Sequence, residues 1–367
     1  MQAMPSIVEA DRRCHHVSGD AQMGRLFPDD ALGGCVRKQW AEAFSKTAHA
    51  YWTPERTEQL NRGKNLLVLP GEAPLLLRAL GLLNGDGSLP LSQVRKYHQI
   101  NHLVAVLEPC LLELCEAHPT VHFLDAGCGR SYLTVLLAWV FVHRYQHPVK
   151  ILGVDRNPEL IASCRRRTEM VEFEHVLRYE AVNIQELELD ATWQRAFSES
   201  SGGAVALHGL LSLHACDTAT DDALALGIAR GATLIAAVPC CHAELASAWT
   251  RMSRDEATKN HALAPLWSIP HLRQATAATL TDTLRTLLLN AAGYRTTVVE
   301  FIAAEHTPKN TLIRAMMRHD PEPAALDRYV ALRQAIGDVR IALEGQMPTS
   351  LRPASLGRAI PACSSSG

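Results

Sequence analysis

The chain has 367 residues, 47% hydrophobic and 20% charged, with a formal net charge of −2. This length suits one large domain with an extension, or two domains, and the near-neutral balance excludes a strongly basic nucleic-acid-binding domain while permitting local patches. No apolar run approaches the ~18 residues of a membrane helix, Glu9, Asp11, Arg12 and Arg13 stand where a signal peptide would be apolar, and ten scattered cysteines read as reduced thiols, so a cytoplasmic protein without membrane contact is expected.

Residues 1–35 carry Pro, Gly and Asp without periodicity and read as a loosely ordered arm. Helical spacing then predicts helices at 36–51, 54–61, 73–83 and 94–116, a helical N-terminal domain over 36–118. From 119 to 320 the pattern alternates. Strands are expected at 121–125, 150–154, 178–183, 205–213, 233–238, 295–301 and 311–317, with helices at 131–145, 158–170, 218–229 and 276–292. Such alternation gives an α/β domain with a mainly parallel seven-stranded sheet covered on both faces, and the missing helix before the last strand makes that strand antiparallel. Arg165 to Arg167 read as an exposed helix face. Residues 242–275 are too long for a simple link; with Trp249, Trp267, Pro265 and Pro270 they are expected to be an insertion covering substrate. A helix near 322–343 and a polar tail complete 321–367.

Within this plan the stretch Val121-His-Phe-Leu-Asp-Ala-Gly-Cys-Gly-Arg130 is a strand, a tight turn and the start of a helix. Gly127 and Gly129 allow a sharp turn and close approach to a ligand, and the N–H groups opening the next helix favour the same place. The second strand ends in Asp155, 30 residues after Asp125, and a carboxylate there suits the two hydroxyls of a ribose. Arg156 follows it. A dinucleotide fingerprint requires a third glycine where this chain has Tyr132, so a nucleoside ligand fits better. The pattern Asp-Ala-Gly-Cys-Gly followed by an acid at the second strand end resembles the first two motifs of class I S-adenosylmethionine-dependent methyltransferases, whose sheet is Rossmann-like. The resemblance implies S-adenosyl-L-methionine as cofactor, with Asp125, Gly127 and Gly129 at its methionine end and Asp155 and Arg156 at its ribose.

In an open α/β sheet, ligands lie beyond the carboxyl ends of the strands. The third strand ends near Asn183 and Ile184, which suit the edge and face of an adenine, although an ordinary turn asparagine fits as well. The fourth and fifth end in Leu213-His-Ala-Cys-Asp217 and Val238-Pro-Cys-Cys-His242, so His214, Cys216, Asp217, Cys240, Cys241 and His242 are expected to converge. Three chemistries suit that cluster. Zinc is disfavoured because adjacent cysteines rarely both reach one ion, and no metal is expected. A thiolate of Cys240 or Cys241 could add to an electron-poor ring, with His214 or His242 lowering its pKa. The favoured reading is a polar wall in which Asp217 or a histidine takes or orients the acceptor's proton while the cysteines pack as small apolar groups.

Leu213-His-Ala-Cys-Asp-Thr-Ala-Thr-Asp-Asp-Ala-Leu224 with Pro239-Cys-Cys-His242 also resembles a subgroup that includes methyltransferase-like protein 25 and the tRNA acceptor-stem ribose 2′-O-methyltransferases. Lys96-Tyr-His-Gln-Ile100 and Glu305-His-Thr-Pro-Lys-Asn310 are similar to flanking pieces of that subgroup. The resemblance spans about 94–318 but lacks the tRNA enzymes' zinc-finger cysteines, and Ala243-Glu-Leu follows His242 where they carry more His and Cys. It implies an RNA substrate, Lys96 and His214 as further cofactor contacts, and His98, Glu305, His306, Lys309 and Asn310 as substrate contacts. A small-molecule or peptide acceptor, and a non-catalytic binding scaffold, remain the other readings; the sequence leaves oligomeric state open.

Overall fold

The computed structural model describes residues 34–64, 66–198, 203–213, 215, 217–239, 242–300, 311–318 and 322–352. They form two compact units: the described residues up to Asn101 with Glu169–Glu172, and His102–Thr168 with the described residues from Phe173 onward.

The first unit contains helices α1 (Gly34–Tyr51), α2 (Pro54–Asn61), α3 (Pro74–Ala79) and the start of α4 (Leu91–Ala117), whose later residues belong to the second unit. Local chemistry sets their ends. Thr53 caps α2 by accepting from the Arg56 amide at 3.3 Å, Pro54 supplies a preformed first turn, and Arg62 closes the helix in the left-handed region at φ 52°. Buried Asn101 accepts from the Val68 amide at 2.9 Å and donates to the Val68 and Tyr97 carbonyls, so it pins Val68 to α4 without leaving its own amide unsatisfied.

The second unit is built on strands β1 (Val121–Ala126), β2 (Val149–Asp155), β3 (Leu177–Ala181), β4 (Gly209–Ser212), β5 (Leu234–Ala237), β6 (Tyr294–Glu300) and β7 (Thr311–Met317), in the order β3-β2-β1-β4-β5-β7-β6. β1 to β5 pair in parallel and β7 runs antiparallel between β5 and β6, as the sequence pattern predicts. Its helices are α5 (Tyr132–Trp139, continued by a π-helical turn over Val140–Tyr145), α6 (Pro158–Met170), α7 (Leu189–Phe197), α8 (Thr218–Ala229), α9 (Ala243–Met252), α10 (Ala264–Ser268), α11 (Pro270–Ala291), α12 (Pro323–Ala335) and α13 (Ala342–Gln346). Leu124, Leu152, Leu210, Ile235 and Ile313 are fully buried in one core with Trp193, Trp249, Trp267 and Tyr329. Each such aliphatic side chain contributes about 1.5–3 kcal/mol by leaving water. Among the described residues no helix is long and apolar enough to cross a membrane.

Three sequence expectations change. β4 begins at Gly209 and not at 205, because His208 Nδ1 accepts the His122 amide at 3.0 Å and so takes a donor that a longer backbone ladder would need. Residues 242–275 fold into α9, α10 and the start of α11, and Trp249 and Trp267 are core residues; the Trp249 indole donates to the Ile336 carbonyl at 2.9 Å. The helix expected over 322–343 is two helices, broken at Gly337 and Asp338, which have φ of 99° and 56°.

Candidate functional site

The turn after β1 is built from positive-φ residues. Gly127 lies at φ 74°, Gly129 at 52° and Ser131 at 56°. The Gly127 and Cys128 amides both donate to the Val154 carbonyl at 2.9 Å, which holds the turn on β2. The Gly129 amide donates to Asp155 Oδ2 at 3.0 Å, and the Asn157 amide donates to Asp155 Oδ1 at 2.9 Å. Each of these oxygens keeps a lone pair for another donor. Asp125, at the end of β1, is 3% exposed; Thr134 Oγ1 donates to its Oδ2, and its Oδ1 is buried with no hydrogen-bond partner among the described residues. Burial pushes the Asp125 carboxyl up to about 7, with the Thr134 hydrogen bond opposing and the Asp155 charge adding. A buried orphan acceptor beside a glycine turn is a place for a donor that comes with a ligand.

The segment after β4 packs on this turn. A Cβ at Gly127 would lie 3.3 Å from both the Cβ and the amide nitrogen of Ala215, so the missing side chain lets the two segments meet. Asp217 follows in a strained conformation, φ 53° and ψ −120°, of a kind that costs about 1–3 kcal/mol and persists only when neighbours enforce it. The enforcing contacts are specific. Asp217 Oδ1 accepts the Ala243 amide at 3.0 Å and the Glu244 amide at 3.4 Å, capping α9, while its carbonyl accepts from Arg285 at 3.1 Å.

That cap holds His242, the residue just before α9. His242 is 7% exposed, and its Nε2 lies 2.9 Å from Asp282 Oδ1 on α11. Arg285, 1% exposed, donates to the same Asp282 oxygen at 3.2 Å and grips both oxygens of Asp221 on α8, at 3.1 and 2.6 Å. Burial raises the Asp221 carboxyl above its ordinary value, with the Arg285 guanidinium opposing, and the carboxylates around Arg285 hold its own pKa above normal in spite of its burial. Glu244 is pushed up to about 7 by burial, opposed by the Ala342 amide that donates to it. A histidine whose Nε2–H is held by a carboxylate presents a basic Nδ1, the arrangement of a general base.

Residues 95–248 match the family model described as Methyltransferase domain, Methyltransf_32. The match spans less than half of the chain, and the order of the seven-stranded sheet fits the fold of such a domain. No curated protein matches the chain. Solved structures similar to it include the S-adenosylhomocysteine-bound Podospora anserina methyltransferase PaMTH1 (10% identity, 73% of this chain and 97% of that one, TM-score 0.37). The N-terminal domain of human METTL16 (12%, 68% and 80%, 0.36) and the CMeT domain of the citrinin polyketide synthase (15%, 86% and 80%, 0.36) are others. At these identities and scores they add nothing to what the strand order shows.

Within residues 95–248 the structure brings together Asp125, Gly127, Gly129 and Asp155, and links them through Ala215 to Asp217 and His242. Arg156 is exposed beside Asp155. Asn183 and Ile184 follow β3 on the far side of β2; Asn183 Oδ1 accepts the Gln185 amide at 3.4 Å and caps a short 3-10 turn, the ordinary role for such a residue. Lys96 and His98 belong to the first unit, where burial, Lys64 and Arg62 lower the His98 pKa. His214, Cys216, Cys240, Cys241, Glu305, His306, Lys309 and Asn310 lie outside the described residues. Sequence reasoning missed Asp221, Asp282 and Arg285. On a helical pattern Asp282 and Arg285, three residues apart, read as a surface ion pair.

Proposed function

We propose that this chain is an S-adenosylmethionine-dependent methyltransferase acting on RNA, with a ribose oxygen or a base as acceptor and His242 as the group that takes the acceptor's proton. The resemblance of the segments 96–100, 213–224, 239–242 and 305–310 to the subgroup that includes the tRNA acceptor-stem ribose 2′-O-methyltransferases supports the substrate class. The observation that carries the chemistry is the 2.9 Å His242–Asp282 contact behind the β5 end.

When bound, the cofactor supplies an electrophilic methyl group. The residues present suit it: the orphan oxygen of Asp125 would accept from its ammonium, the turn at Gly127 to Gly129 would face its methionine end, and the remaining lone pairs of Asp155, with Arg156 beside it, would take the ribose. Asn183 and Ile184 are assigned to the adenine, His214 to a further cofactor contact, and Glu305, His306, Lys309 and Asn310 to the acceptor. Asp217 acts as a positioning residue in place of the base expected from its sequence position, because its Oδ1 is committed to the α9 amides. Holding acceptor and methyl group in line supplies most of the rate gain in such a transfer.

The substrate class is tested by adding the purified protein and methyl-tritiated cofactor to fractionated extract from a deletion strain. Label in RNA is expected. Label in protein or small molecules alone would overturn the RNA reading and leave the methyltransferase in place.

A further inference from the structure

We infer that Asp282 is a positioning residue for methyl transfer, and that Asp282, Arg285 and Asp221 form one relay that sets the tautomer and direction of the His242 ring. The inference rests on the reading of His242 as proton acceptor. Its elements are far apart in sequence: Asp221 on α8, His242 before α9, and Asp282 and Arg285 on α11.

The relay has a direction. Arg285 can only donate, and it is immobilised by four acceptors: both Asp221 oxygens, the Asp217 carbonyl and Asp282 Oδ1. Two carboxylates against one guanidinium leave a net negative charge in the buried network. Asp282 Oδ1 therefore stays an acceptor, and the partner it takes at 2.9 Å must be His242 Nε2–H. The imidazole lone pair is left on Nδ1. From the other side Asp217 fixes the backbone that carries the ring, through the Ala243 and Glu244 amides. Ring and backbone are thus both held, as a base that must meet a proton in line requires.

During transfer the acceptor's O–H or N–H bond breaks and its proton passes to His242 Nδ1. The electron pair of that bond stays on the acceptor side as the acceptor atom bonds the methyl carbon, and the pair of the broken carbon–sulfur bond stays on sulfur. The ring becomes an imidazolium.

Asp282→Ala and Asp282→Asn of the full chain test this. Asp282→Ala should lower kcat at least about 100-fold, with KM for cofactor and acceptor changed less than about twofold. Asp282→Asn keeps an oxygen for Arg285 and for Nε2–H and should recover part of the loss, which also guards against a folding defect. In the ligand-free protein, 15N-histidine spectra should show the His242 signal, identified by its loss in His242→Gln, as the Nε2–H tautomer in wild type and as a mixture in Asp282→Ala. The double variant His242→Gln/Asp282→Ala should be no slower than His242→Gln alone, because Asp282 acts only through the ring. Multiplicative losses in the double variant, an unchanged tautomer, or kcat of Asp282→Ala within about threefold of wild type would overturn the relay. Full activity in His242→Gln would instead overturn the reading of His242 as base.

Discussion

Cofactor binding should be coupled to the loss of a proton from Asp125. The carboxyl is buried, Oδ1 has no hydrogen-bond partner among the described residues, and burial pushes its pKa up to about 7. A ligand ammonium placed against it selects the ionised form, so apparent affinity scales with the ionised fraction. That fraction is about one tenth at pH 6, one half at pH 7 and nine tenths at pH 8. S-adenosylhomocysteine should therefore bind about tenfold more weakly at pH 6 than at pH 8, and about half a proton should be released per binding event at pH 7. Calorimetry in buffers of different ionisation enthalpy measures both, and Asp125→Asn should flatten the dependence. A wild-type Kd that is constant from pH 6 to 8, or an equal slope in Asp125→Asn, would refute the reasoning. Stability carries the opposite sign. The folded chain keeps a proton that the unfolded chain releases, so this carboxyl favours folding below about pH 4 and loses that advantage as pH rises to about 7, by up to about 4 kcal/mol.

Three further perturbations follow. Asp155→Ala should weaken S-adenosylhomocysteine at least about 100-fold, because two charged hydrogen bonds to ribose contribute about 3–6 kcal/mol; an unchanged calorimetric Kd would sink the ribose assignment. Gly209→Ala places a Cβ 2.1 Å from the Phe123 ring across the β1–β4 pair and should cost about 1–3 kcal/mol in urea unfolding, whereas a change under about 0.5 kcal/mol would show that the ring yields freely. His208 is lowered to about 4 by burial and by neighbouring His118 and His122. The unfolded chain takes up that proton first as pH falls, so stability should drop between about pH 6.5 and pH 4, by on the order of 1 kcal/mol with solvent screening; His208→Gln should remove this drop, and an unaltered acid limb would contradict the role of the ring.

Much of the parallel sheet is legible because its strands are apolar runs that stop at Gly or Asp: 121–125 differs from the observed β1 by one residue at its end, and 150–154 from β2 by one residue at each end. Legibility fails where a side chain replaces a backbone partner, as His208 does at the start of β4, and where short helices carry little periodicity, as in α7, which went unpredicted. The site divides in the same way. The glycine turn and Asp155 follow from local sequence chemistry, and His242 stands out beside two cysteines. Asp217 looks like a base until the fold brings the α9 amides to it, and Asp282 and Arg285 gain meaning only when α11 lies against the strand ends.

In the proposed function this protein methylates RNA from a cofactor held at the 125–129 turn and Asp155, with His242 taking the proton. The most direct measurement incubates purified wild type, Asp155→Ala and His242→Gln with methyl-tritiated S-adenosylmethionine and protein-free cellular RNA, and counts acid-precipitable, nuclease-sensitive label. The account predicts label with wild type, at least about 100-fold less with either variant, and cofactor affinity lost only in Asp155→Ala. No label in RNA with wild type, or equal label with His242→Gln, would contradict it.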